Sequence, residues 1–191
     1  MAVRLAIATG MRRGEICALR WQDIDLESSS PTIHVVHALT QDKGFKLDTL
    51  KDPKGGDTTR DVPIGPKLQS WLKEHRSCQE SELHQLDFAF DNSLYVVGNP
   101  LDKSFKKPEV LGREWRMLAR AEGWKGSQGE PPRFHDLRHT FATLAIQDKV
   151  MDVMALSRIL GHKDASMTLN IYADALEESK RNGMDAYDAT L

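Results

Sequence analysis

Two arginines, two histidines and a tyrosine in this 191-residue chain could together act on a phosphate diester. Arg138 lies in His135-Asp136-Leu137-Arg138-His139, His162 in Leu160-Gly161-His162, and Tyr172 stands ten residues beyond His162. Far upstream, Arg12 sits in Ala8-Thr9-Gly10-Met11-Arg12-Arg13-Gly14-Glu15. A guanidinium is planar, permanently charged and forked, so two of them can grip the oxygens of one phosphate. Imidazole titrates near neutral pH and can take or return a proton. A phenol becomes a useful nucleophile once a base accepts its proton and cations lower the charge of the group under attack. Such a set would cut a phosphodiester without a metal.

Each residue also has a plainer reading. Most arginines are solvated or ion-paired, and Arg13, Arg113 and Arg120 fit that description. His162, beside a glycine at a helix end, could be a capping histidine suited to the helix dipole. Tyr172 could pack on a helix face; Tyr95 and Tyr187 are the other tyrosines, one before the His-x-x-Arg run and one 25 residues past His162. His135 and Arg138 are spaced i, i+3 and so share a helix face. His139 at i+4 from His135 has the spacing of a helical metal pair, but no third ligand follows and the Glu of H-E-x-x-H is missing, so no metal is expected. Glu15, three residues after Arg12, is read either as support for that arginine or as an exposed helix carboxylate.

These residues need elements to hold them. Residues 3–20 carry apolar positions at helical spacing broken by Thr9-Gly10, which predicts a helix, a turn and a second helix opening near Met11, closed by Trp21 to Asp25. A β-branched run predicts a strand over 32–39, followed by a polar turn at 51–59 and a return strand over 60–64. Pro66 begins a helix reaching about residue 81. Residues 88–97 read as short β or irregular, 109–122 as a helix, and the Gly- and Pro-bearing 123–132 as a loop. The remainder reads as helices over 135–147, 152–160 and 166–172, and a last one from about residue 176. Asp152 is a plausible N-cap and Gly161 a plausible helix terminator. The expected fold is mainly α with a small antiparallel β-sheet (α+β), forming one domain over residues 1–191.

Composition narrows the class. The chain is 40% hydrophobic and 28% charged, as a globular protein is. It lacks an apolar run of membrane-spanning length and a signal-peptide pattern. Cys17 and Cys78 stand in no ligand-like spacing and read as reduced thiols, so a cytoplasmic location is expected. The net charge of -2 argues against nucleic-acid binding until its distribution is considered. Residues 101–140 hold nine Lys/Arg against six Asp/Glu, whereas 74–92 hold only Arg76 against five acids. A basic face and an acidic back would average to this total.

The order and spacing of these motifs resemble the tyrosine recombinase (phage integrase) family over nearly the whole chain. That family's pattern is T-G-[LM]-R-x-x-E, a lysine in a β-turn, H-x-L-R-H, L-G-H, and a tyrosine nine or ten residues later. Arg12, Lys54, His135, Arg138, His162 and Tyr172 fall on those positions. The resemblance implies that Arg12 and Arg138 hold the scissile phosphate, His135 acts as general base, His162 hydrogen-bonds the phosphate and Tyr172 is the nucleophile. It implies that Lys54, which precedes Val62-Pro63 by the family's interval, protonates the leaving 5′-oxygen; Lys51 is a rival three residues earlier. Glu15 matches a supporting acidic position, and His139 a structural one without chemistry of its own.

The implied activity is site-specific cleavage and rejoining of duplex DNA through a 3′-phosphotyrosyl intermediate, with neither ATP, metal nor other cofactor. The implied partners are double-stranded recombination sites and, on DNA, three further copies in a homo-tetramer; a monomer is expected in isolation, with no membrane association. Family members carry a further helix and a DNA-clamping domain ahead of the Arg12 motif, so an excised catalytic domain or truncated reading frame is expected. Two other readings remain open: a type IB topoisomerase-like enzyme, and a non-catalytic DNA-binding remnant.

Overall fold

The computed structural model describes residues 1–41, 45–50, 58–126, 129–148, 150–162 and 166–188. Helix α1 (Ala2–Thr9) and helix α2 (Arg13–Ala18) meet at the expected turn. Gly10 closes α1 in the left-handed conformation, φ 64°, and donates its N–H to the Ala6 carbonyl at 3.0 Å. A 3-10 turn (Trp21–Asp23) follows, anchored by the Trp21 indole N–H on Gln79 Oε1 at 2.7 Å.

Strands β1 (Ile24–Asp25), β2 (Thr32–Val35) and β5 (Arg60–Pro63) form an antiparallel sheet in the order β1-β2-β5, with Ile33 opposite Val62. The single strand expected over 32–39 is two. After Val36 the chain leaves this sheet, and β3 (His37–Gln41) pairs with β4 (Phe45–Thr49), Leu39 opposite Leu47. A β-branched run registers strand preference but not the point where a strand changes partner.

Helix α3 (Pro66–Gln85) runs four residues past its expected end, and α4 (Pro108–Ala121) lies within one residue of its expected bounds. Both open with proline, whose missing N–H costs nothing in a first helical turn. Between them, Tyr95 bridges Arg20, and a ribbon of β6 (Gly98–Asn99) with β7 (Ser104–Phe105) supplies strands that the sequence reading did not anticipate.

Helices α5 (Asp136–Gln147) and α6 (Val153–Leu160) fall where expected, and Asp152 caps α6 by accepting the Ala155 N–H at 2.8 Å. The two last helices expected from the sequence are one, α7 (Ser166–Asp188), continuous through Tyr172.

Two apolar cores organise these elements. The larger joins α1, α2, the sheet, α3 and α4 around buried Leu5, Ile16, Trp21, Ile33, Leu72 and Leu94. Each such side chain contributes roughly 1.5–3 kcal/mol through burial. The smaller, between α5, α6 and α7, contains Ala142, Ala145, Leu156 and Leu160, flanked by Phe141 and Ile171. The α1–α2 turn fits against this second core so closely that a Cβ on Gly10 would lie 2.5 Å from Phe141 and 2.7 Å from Leu160. Glycine is needed there twice, for its φ and for its size. That seam between the cores brings Arg12 to Arg138 across 126 residues of sequence.

Candidate active site

The C-terminal end of α6 is the template on which the site is built. The last carbonyls of a helix have no partner within it and form its negative pole. Here three successive carbonyls each receive a different arginine. Arg60 Nε donates to the Ile159 carbonyl at 2.6 Å, Arg138 Nη2 to that of Leu160 at 2.7 Å, and Arg12 Nη2 to that of Gly161 at 3.0 Å. Arg138 Nη1 also donates to the Gly10 carbonyl at 2.7 Å, tying α5 to the α1–α2 turn. Gly161, φ 65°, turns the chain so that His162 follows directly beside this cluster.

Among the described residues, Glu15 is the carboxylate that sits with these guanidinium groups. It is 1% exposed, so it is not the surface carboxylate that its helical position allowed. Oε1 accepts from Arg12 Nη1 and Arg60 Nη1, both at 3.0 Å, and Oε2 accepts from the Arg12 backbone N–H at 2.8 Å and Arg60 Nη2 at 2.7 Å. Burial alone would raise its pKa. The hydrogen bonds and charge of Arg60, then those of Arg12, outweigh that and hold the carboxyl below the usual range. Among the described residues, these three cations and one anion leave the cluster with an excess of two positive charges.

That excess faces a cavity of about 260 Å³ lined by Arg12, His135, Arg138, His139 and His162 together with the first turns of α7. Arg12, His135, Arg138 and His162, singled out in the sequence, thus line a single cavity. A guanidinium carries five N–H groups, and the bonds just described use two from each of Arg12 and Arg138. The cavity is therefore a space with room for a phosphate, with cationic donors and imidazoles in its lining.

The electrostatics set the protonation states. Burial, followed by the charge of Arg12, pushes Arg138 down to about 9, which leaves it charged at neutral pH. Burial and then the arginines, Arg138 foremost, push His162 down to about 4. His135 is lowered too, by burial and then by His139 and Arg138. Both imidazoles are neutral at pH 7. His162 Nδ1 lies 2.8 Å from the hydroxyl of buried Thr168, and the rings of His135 and His139 meet edge to face at 5.1 Å.

These shifts have a measurable sign. Between the ordinary histidine value of 6.5 and about 4, the unfolded chain binds a proton at His162 that the folded chain refuses. Stability is then complete above pH 6.5 and declines as pH falls toward 4. Urea unfolding across that window should show the decline, and His162→Gln should flatten it. An unchanged slope in the variant would show that His162 does not titrate as its surroundings require.

The other expected site residues stand differently. Tyr172 is 41% exposed on α7 and does not line the cavity, although its neighbours Asn170 and Ile171 do. Lys54 and its rival Lys51 lie outside the described residues. Arg60 was not singled out from the sequence, yet its side chain is 8% exposed. The available signal was strand alternation: Arg60 is in phase with buried Val62 and Ile64, an inward position at which an unpaired charge would be costly. Among the described residues, no group of three His, Cys, Asp or Glu is placed to hold a metal, and no helix is long and apolar enough to cross a membrane.

Comparison with known proteins agrees with this geometry. Residues 1–179 match the model of the phage integrase family. The chain is 32% identical over 190 residues to a XerC-like tyrosine recombinase of Caldanaerobacter subterraneus subsp. tengcongensis, covering 95% of this chain and 46% of that protein. It is 27% identical to the ICEBs1 integrase of Bacillus subtilis, covering 98% of this chain and 48% of the relative. The chain thus spans about half the length of the curated relatives it matches. Among solved structures, the Tn1549 transposon integrase in complex with transposon right end DNA superposes with a TM-score of 0.70 at 23% identity, over 97% of this chain and 57% of that one. XerA recombinase superposes with a TM-score of 0.64 at 25% identity, over 95% and 57%. With its motifs on one cavity and its family model matched over 179 of 191 residues, the chain belongs to the phage integrase family and has the fold of a tyrosine recombinase catalytic domain.

Proposed function

We propose that this domain cleaves and rejoins duplex DNA at specific sites through a 3′-phosphotyrosyl intermediate. The observation that carries the reading is the pair of Arg12 and Arg138 forks, fixed by backbone carbonyls and facing one cavity with His135 and His162. Donors held in place before the reaction stabilise the charge that builds on the phosphoryl oxygens, because they need no reorganisation as it develops. The Tyr172 oxygen attacks phosphorus in line, and its proton passes to neutral His135. The P–O5′ bond breaks, and the 5′-oxygen leaves with a proton from Lys54 or Lys51. The exchange of one phosphodiester for another conserves the bond, so a 5′-hydroxyl can reverse it without ATP. If His162 Nδ1 accepts the Thr168 proton, Nε2–H is left to donate to the phosphate.

Tyr172 does not line the cavity, although Asn170 and Ile171 do, so on this reading attack requires α7 to shift or turn at its start. The complexes of the Tn1549 integrase with DNA support duplex DNA as the ligand, and the names of the relatives support recombination as the outcome. Four protomers on paired sites, in a cytoplasmic setting, complete the proposal.

The test is a nicked suicide duplex carrying the recombination site, incubated in EDTA and analysed for protein–DNA adduct that survives detergent. An adduct through a 3′-phosphate is expected at full yield without divalent ions, since arginine and histidine supply the charge a metal otherwise would. Cleavage that appears only with Mg²⁺ or Zn²⁺ would overturn the mechanism.

A further inference from the structure

Among the described residues, Arg60 hydrogen-bonds no group assigned to the chemistry, yet three of its donors are committed to parts that hold such groups. It does not line the 260 Å³ cavity. It lies beside that space, in an adjoining hollow it shares with Arg12, Glu15 and Gly161. Its fork spans both oxygens of Glu15, and its Nε reaches back to the last turn of α6. We propose that Arg60 is a positioning residue: by occupying both oxygens of Glu15 and the Ile159 carbonyl, it keeps Arg12 in the pose that meets the phosphate. This rests on the function proposed above only in naming phosphate as what Arg12 meets.

The argument is one of competition. A buried carboxylate draws the nearest guanidinium into two-point contact, since that geometry is the strongest available. With Arg60 in place, Glu15 already has its bidentate partner, and Arg12 gives it a single Nη1 and a backbone N–H. The second Arg12 arm is then free to hold the Gly161 carbonyl, with the side chain still 43% exposed and lining the cavity. Without Arg60, Arg12 is the remaining fork bonded to Glu15, and two-point pairing would pull its Nη2 from Gly161 and turn the fork away from the cavity. Gly161 supplies an independent sign of how closely Arg60 is seated. A Cβ there would lie 3.0 Å from Arg60 Nη1 and 3.1 Å from its Cδ, tighter than ordinary packing.

Arg60→Lys separates charge from geometry. Lysine keeps the positive charge but cannot bridge two carboxylate oxygens and a carbonyl from one planar group. The first measurement is the side-chain Nε–H resonance of Arg12 in the ¹H–¹⁵N spectrum of this chain, assigned by its loss in Arg12→Lys. Arg60→Lys is expected to move it by more than its linewidth and to speed its exchange with water, while the backbone spectrum elsewhere is retained. An unmoved resonance overturns the proposal. The second is single-turnover adduct formation on the suicide duplex. Arg60→Lys should slow cleavage by about 10- to 100-fold, the scale of one misplaced transition-state donor, with half-saturating DNA changed less than about threefold.

A double-mutant cycle distinguishes positioning from general damage. In an Arg12→Ala background, Arg60→Lys should cost less than about threefold, because the residue it positions is gone; equal losses in both backgrounds overturn the proposal. Should Arg60→Lys fail to fold, Arg60→Gln, which adds no buried charge and still donates to one Glu15 oxygen, is measured in the same way. A wild-type chain that forms no adduct overturns the proposed function, while the Arg12 resonance tests Arg60 without any cleavage.

Discussion

Tyr172→Phe is expected to abolish the covalent adduct, a fall of at least about 10⁴-fold, while leaving fold and DNA affinity unchanged. Loss of a nucleophile that acts in concert with its base and its electrostatic partners is of that size or larger. The change removes one oxygen from a ring that is 41% exposed, and substitutions at such surface positions alter stability within about 0.5 kcal/mol. The competing hydroxyl is Tyr187, on the same helix and 61% exposed. It lies fifteen residues further along α7, roughly 22 Å at 1.5 Å per residue. The turn carrying Met167, Asn170 and Ile171 lines the cavity, so only a residue in that part of α7 can reach a phosphate held there by a small movement. The measurement is adduct formation by Tyr172→Phe and Tyr187→Phe side by side, with circular dichroism and a DNA-binding isotherm for each. Adduct that survives the first substitution and disappears with the second would reassign the nucleophile.

How much of the fold was legible depended on whether the deciding interaction was local. The Thr9-Gly10 break, the Pro66 helix start, the Asp152 cap and the Gly161 terminator are written in single residues whose backbone preferences act within one turn, and each element edge falls there. The change of partner at Val36 and the β6–β7 ribbon depend on distant strands, so no local preference announced them. The continuity of α7 through the residues after Tyr172 was missed for a related reason. Residues 173–175 hold no glycine or proline to stop a helix, and α7 runs through them.

In the site, residue types and spacing were informative, but burial was not. Arg12, His135, Arg138 and His162 stand at motif positions whose order and spacing the sequence displays, and the four line one cavity. Glu15 could be matched by position, whereas its 1% exposure comes from β5 and α6 closing over it. The same closure hid Arg60, a residue whose role exists only once a strand, α2 and the end of α6 meet. The total charge of -2 likewise says nothing of local charge. Among the described residues, three arginines lie around one carboxylate, a local excess that a sum over the chain cannot reveal.

Glu15→Ala is expected to destabilise the domain by about 3–5 kcal/mol, the largest single-residue effect in this site, because it removes the anion from a buried cluster of cations. Arg60 and Arg138, 8% and 5% exposed, cannot reach water to recover the lost solvation. The consequence is a melting temperature lower by roughly 10 °C, at about 2–4 °C per kcal/mol for a chain of this size. Glu15→Gln preserves shape but presents an amide N–H to the Arg60 fork, so most of the loss should remain. The two variants should also lose a feature of the wild type at low pH. A carboxyl whose folded value is depressed contributes stability above its ordinary value of 4.5 and loses it as pH falls through the folded value. That step should be absent once the group is gone. Sulfate offers a discriminating control. An anion bound in the cavity neutralises the same arginines, so it should raise the melting temperature of Glu15→Gln by more than that of the wild type, in proportion to its tighter binding to the more positive site. A Glu15→Ala variant that loses less than about 1 kcal/mol, or gains nothing from sulfate, would mean that the three arginines do not depend on this carboxylate.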